Sequence, residues 1–111
     1  MSKKTYGELP NVADFFDVQP DEVIAEYGAI VSLLEERWRL ISPYGGKVEA
    51  GLFAVRLTRS RNVRVFYVYL AGDEIYGIHA YEKKSRRIPQ HELDKARKIM
   101  RKMRSYYERN E

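Results

Sequence analysis

After Pro20, apolar residues recur at helical spacing: Val23, Ile24, Tyr27, Ile30, Val31, Leu34 and Trp38 gather on one side of a 3.6-residue period. Asp21 and Glu22 fall in the first turn, where negative charge suits the helix dipole. The pattern predicts a helix over about 21–38. Gly28 lowers its intrinsic helicity by about 1 kcal/mol relative to alanine, which fits a break or a close contact between helices. Further on, strand-like segments take over. Stretches at 51–59, 63–70 and 74–81 are separated by "SRN" and "AGD", each short enough for a hairpin, and predict an antiparallel meander. Last, Leu93, Ala96, Met100, Met103 and Tyr107 form an apolar stripe behind Pro89, which suits a first helical position. A final helix is predicted over about 89–107.

The remaining segments are less regular. "SPYGG" at 42–46 reads as a loop from its turn residues. Thr5 and Tyr6 suit a short edge strand, and "NVADFFDV" suits one helical turn or two with Phe15 and Phe16 as core anchors. The chain carries no repeat, low-complexity stretch or interdomain linker. Helices, then a meander, then a basic helix make an α+β chain, read as one domain over 1–111.

Composition narrows the chemistry. At 44% hydrophobic, 111 residues can bury a modest core. No run approaches the roughly 18 apolar residues of a membrane span, and the first residues lack a signal-type apolar segment, so no membrane association and a cytoplasmic location are expected. Having no cysteine excludes disulfides, thiolate metal sites and thiol nucleophiles. Only two histidines, His79 and His91, are present, without an HExxH pairing, so neither metal nor cofactor is expected. The glycine pair Gly45 and Gly46 lacks the Lys-Ser/Thr of a phosphate loop and reads as a turn.

Charge is the distinctive feature. The formal net charge is +4, but residues 1–82 hold 9 Lys and Arg against 12 Asp and Glu, whereas residues 83–111 hold 11 against 4. Such clustering raises a local positive potential suited to a polyanion or an acidic partner. Arg56 and Arg64 lie on adjacent predicted strands, and Lys83 and Lys84 follow the third. Strands about 4.8 Å apart can aim such side chains at one phosphate-sized spot. The competing reading pairs Arg56 and Arg64 with Glu49, Asp73 or Glu74, or lets them snorkel at a sheet edge. Arg86, Arg87, Lys95, Lys98, Arg101 and Lys102 are candidates for RNA-backbone contact, against a plain solvated surface.

Tyr67, Tyr69, Tyr76 and Tyr81 interleave with these cations, and an exposed aromatic beside a cation can stack on an unpaired base. Strand alternation puts His79 and Tyr81 on one face of the third strand and Tyr76, Ile78 and Ala80 on the other. The apolar-rich side should face the core, which leaves His79 and Tyr81 outward beside the cations. Against this stands a hydrogen-bonded His79 and a packed Tyr81.

"GLFAVRL" at 51–57 and "VRVFYVYLAGDEIYGIHAYEKKSRRIPQHELDKA" at 63–96 resemble the phage-derived, HigB-like branch of the RelE superfamily of toxin–antitoxin toxins. The ordered pattern is an Arg-bearing first motif, a second Arg motif, a Lys pair, then a proline and a helix. The resemblance implies a RelE-like fold, with N-terminal helices packed on one side of a twisted antiparallel sheet and an active groove on the other. It also implies a metal-independent endoribonuclease that cuts messenger RNA, often in the ribosomal A site, and so inhibits translation. A cognate antitoxin, commonly a helix-turn-helix protein, would neutralise it.

Carried over position by position, Arg56, Arg64, Lys83 and Lys84 would line the groove; from residue chemistry, not from the resemblance, His79 is a candidate proton-transfer group and Tyr81 a candidate for stacking on a base or orienting the phosphate. The chain departs from the pattern at four places. Ala54 stands where the family has Glu, Tyr81 where it has Phe, Glu82 where it has an apolar residue, and Ile88 where it has a capping Thr. Loss of the Glu removes a possible base, so a basic RNA- or ribosome-binding module without cleavage is the alternative. Docking of an acidic antitoxin or scaffold is a third.

Overall fold

The computed structural model describes residues 4–109, with side chains through Tyr106. Eight elements follow in order: β1 (Thr5–Glu8), α1 (Pro10–Asp17), α2 (Asp21–Arg37), β2 (Gly45–Glu49), β3 (Leu52–Leu57), β4 (Val63–Tyr69), β5 (Glu74–Glu82) and α3 (Gln90–Arg109). The strands form one sheet in the order β1-β5-β4-β3-β2. The expected meander is β3, β4 and β5, paired antiparallel. Thr5 and Tyr6 do belong to an edge strand, which runs parallel to β5.

Packing explains the elements. On α2, Val23, Tyr27, Ile30 and Leu34 are buried at helical spacing, and α1 adds Val12 and Phe16. These meet Val55, Leu57, Val63, Val65, Tyr67 and Ile75 on one face of the sheet. Full burial of one such aliphatic or aromatic side chain is worth roughly 1.5–3 kcal/mol relative to exposure. α2 runs unbroken through Gly28, which faces open space, so neither a break nor a helix contact explains that glycine. It stops at Trp38, whose φ of 70° is left-handed and whose N–H donates to the Leu34 carbonyl at 2.7 Å. β1 is tied down by a polar chain in which the Tyr6 and Tyr27 hydroxyls meet at 2.7 Å and Tyr27 donates to Glu8 at 2.8 Å.

The opposite face is also covered. Leu52, Ala54, Phe66, Val68, Ile78 and Tyr81 pack against Ala96 and Met100 of α3. The resemblance implied helices on one side of the sheet; here α3 lies on the other. Its apolar stripe is confirmed through Met103, while the Tyr107 side chain lies outside the described residues.

Two further expectations fail. Gly45 and Gly46 are not loop but the start of β2, paired with Val55 and Ala54 of β3. A side chain at Gly45 would collide with the Ala54 carbonyl and the Leu40 side chain, so the glycine serves close packing rather than a turn. The second failure concerns β5. The pairing slips between Phe66–His79 and Tyr67–Gly77, leaving Ile78 as an extra residue in a β-bulge. Strict alternation is lost there. Ile78 joins Tyr76, His79 and Tyr81 on the α3 face, and only Ala80 of the supposed core trio faces α1 and α2.

Candidate functional site

Register places Arg56 of β3 directly opposite Arg64 of β4, and Arg64 opposite Tyr81 of β5. Directly opposed residues have Cβ atoms about 4.5–5.5 Å apart, so like charges there repel unless something compensates. Lys83 follows β5 and is fixed by its N–H, which donates to the Asn62 carbonyl at 2.6 Å. Arg56, Arg64 and Lys83 all line one pocket of about 330 Å³ on the α3 face, with Thr58 at its side and Ala54 and Phe66 in its floor. Its lining includes no carboxylate and no imidazole.

None of the three cations takes part in an ion pair among the described residues. Glu49 instead receives a forked pair of hydrogen bonds from Arg97, at 2.7 and 2.9 Å, and Asp73 pairs with Lys4 at 3.7 Å. Arg64 makes only long bonds to the carbonyls of Leu57 and Val63, at 3.4 and 3.3 Å. Its guanidinium is pushed below its ordinary pKa chiefly by desolvation, which Tyr81 opposes and to which the charge of Arg56 adds a lesser depression. Lys83 is lowered by desolvation first and then by Arg64 and Arg56. Three positive heads therefore share one small volume, in which Arg56 disfavours the charged state of Arg64 and both disfavour that of Lys83.

A second depression of about 510 Å³ adjoins the first, lined by Asn62, Arg64, Lys83, Lys84, Ser85 and Arg86. Lys84 and Arg86 thus stand beside the pocket, not in it, and Arg64 and Lys83 border both. Arg87, Lys95, Lys98, Arg101 and Lys102 are exposed and line neither.

His79 and Tyr81 share the face of the cations, as alternation suggested, but α3 covers that face and leaves neither side chain outward. His79 Nε2 lies 2.7 Å from Glu92 Oε1 on α3, and the histidine is only 14% exposed and outside the pocket. Tyr81 lines the pocket but is only 4% exposed, its ring clustered with those of Phe66 and His79 at centroid distances of 5.7 and 6.2 Å. So little of the ring is exposed that the expected stacking on a base is removed. The hydroxyl is buried without a hydrogen-bond partner among the described residues. Desolvation raises its pKa, Arg64 opposes and Glu92 adds to the rise, so the phenol stays protonated.

One contributor had no signature in the sequence. Glu26 of α2 accepts hydrogen bonds from the N–H groups of Thr58, Arg59 and Ser60 at 3.0–3.1 Å, and from the Ser60 hydroxyl at 2.7 Å. It clasps the turn that joins the strands of Arg56 and Arg64. A pairing across 32 to 34 residues leaves no local pattern. Among the described residues, no three His, Cys, Asp or Glu side chains gather as a metal site requires. Nor is any described helix long and apolar enough to cross a membrane.

Residues 14–101 match the model of a family described as "Phage derived protein Gp49-like". No curated protein matches the chain.

Proposed function

We propose, for a chain that belongs to the phage-derived Gp49-like family, a toxin-like family associated with RelE/HigB-type toxins, that it is a toxin-type endoribonuclease acting on messenger RNA without a metal. The observation that carries the reading is the convergence of Arg56, Arg64 and Lys83 on one pocket with no internal carboxylate to neutralise them. In this mechanism a ribose 2′-hydroxyl attacks the adjacent phosphorus, the P–O5′ bond breaks, the leaving oxygen takes a proton from solvent, and a cyclic phosphate and a 5′-hydroxyl result. Negative charge builds on the nonbridging oxygens as this happens. Preplaced guanidinium and ammonium donors stabilise that charge by about 2.7–4 kcal/mol each, by analogy with single oxyanion-hole donors. Lys83, the lining cation with the lowered ammonium pKa, takes the 2′-hydroxyl proton. Messenger RNA as the substrate, both free and on the ribosome, translation inhibition as the outcome and a helix-turn-helix antitoxin as the partner complete the proposal.

Arg64→Ala tests it. Purified protein with RNA and a chelator should cleave, and the variant should lose cleavage while RNA affinity falls by less than about tenfold. A second reading is favoured by Ala54 in the pocket floor and by the capture of His79 by Glu92, which leave no carboxylate or imidazole in the lining. Under it the chain binds RNA or the ribosome without cutting. Absence of cleavage in both proteins, with RNA still bound, would select that reading.

A further inference from the structure

Two neighbouring depressions share a pair of cations yet differ in character. The Arg56 pocket also has apolar walls from Pro43, Val48 and Ile88, whereas the depression at Lys84 and Arg86 is lined by no aliphatic or aromatic side chain. Both linings lack carboxylates. Five cations, Arg56, Arg64, Lys83, Lys84 and Arg86, border them, and none is in an ion pair among the described residues. One phosphate would leave most of that charge uncompensated.

We infer that the site is two joined subsites that accept one nucleotide bearing two phosphates, with the base and one phosphate in the Arg56 pocket and the second phosphate beside Lys84 and Arg86. Arg64 and Lys83, common to both, lie between the phosphates. At about 330 Å³ the pocket is at the small end of ligand-binding cavities, which suits a single base and not a stacked pair. The walls sort the parts: a base gains by covering Pro43, Val48 and Ile88, while the other depression offers only cations and the polar Asn62 and Ser85. Duplex nucleic acid keeps its bases stacked inside, so the ligand is single-stranded. The inference rests on the nucleic-acid reading of the pocket but not on cleavage.

The test is calorimetric titration of the purified chain, at low salt, with deoxyuridine 3′,5′-bisphosphate, the two deoxyuridine monophosphates and abasic deoxyribose 3′,5′-bisphosphate. The deoxy sugar lacks the attacking hydroxyl, so affinity is read whether or not the protein cuts RNA. The bisphosphate should bind at least about tenfold tighter than either monophosphate. It should bind at least about threefold tighter than the abasic analogue. In a Lys84→Ala/Arg86→Ala variant, the ratio of bisphosphate to monophosphate affinity should fall below about threefold. Equal affinities for bisphosphate and monophosphate, a ratio that survives the double substitution, or an abasic analogue that binds as well would overturn the inference. Cleavage failing while the ligand pattern holds would remove only the nuclease reading; the reverse pattern would remove only the two-subsite one.

Discussion

Lys83 sits within the fields of Arg56 and Arg64, and partial burial with those two charges holds its ammonium below the ordinary lysine pKa. A neutral fraction therefore appears at lower pH than on an exposed lysine, and its capacity to accept a proton grows as pH rises. Lys83→Arg keeps the charge and removes that titration. Cleavage should drop by at least about 100-fold, the usual lower range for a lost general base, with RNA affinity nearly unchanged and the alkaline rise in rate abolished. Unaltered rates with the same pH profile would assign the proton to another group.

Glu26 works at the same scale through a different quantity. Desolvation pushes its carboxyl pKa up, but hydrogen bonds from the Ser60 side chain and from the backbone of Arg59, Ser60 and Thr58 together outweigh it and hold the group below its usual range. A depressed folded-state pKa means that the unfolded chain binds more protons in acid. The stabilisation is then complete above the unfolded value near 4.5 and lost as pH falls through the folded one. Glu26→Gln should lower the denaturation midpoint at neutral pH, and the gap to the unaltered protein should close in acid. A gap that stays constant to low pH would mean that the carboxylate charge contributes nothing to the clasp.

Among the elements, α2 offers the cleanest substitution. Gly28 is helical and exposed, and a methyl group added to it would meet no heavy atom within 4 Å, so Gly28→Ala should stabilise the protein by about 0.4–1 kcal/mol in chemical denaturation. A loss of stability would show that this helix face is already in use. Helices and meander strands were legible because each has a period and a local partner. β2 was not, since two glycines carry no pattern and its pairing with β3 depends on how closely Leu40 and Ala54 approach. The bulge at Ile78 was equally hidden, because nothing in "EIYGIHAYE" announces which residue drops out of the ladder. That single residue decided the surroundings of the strand's aromatic side chains. Arg56, Arg64 and Lys83 could be found together because they sit on, or directly after, strands joined by short turns. His79 was drawn away by Glu92, a contact made only once α3 folds back over the sheet.

At the scale of the whole molecule, the charge asymmetry determines how RNA binding should respond to salt. Each phosphate contacted contributes a log–log slope of about −0.7 for single strands, so two contacts give about −1.4 and further engagement of exposed Lys95, Lys98, Arg101 or Lys102 steepens it. Affinity measured across a salt series on a short oligonucleotide and on a longer one separates the pocket from the helix surface. A flat response would show that the cations do not contact phosphate.

The parallel strand at the sheet's edge bears on how the protein is made. β1 leaves the ribosome well before the backbone that holds it, which runs from Glu74 to Gly77 in β5 and emerges only after β2, β3 and β4. Lys83 and the covering helix come later still. The early segment must wait without its hydrogen-bonding partner while two helices and three strands are translated, a non-local closure of the kind that slows folding. A chain made only as far as β4 thus lacks both its complete sheet and Lys83, and the cation cluster is whole only once Arg86 has followed.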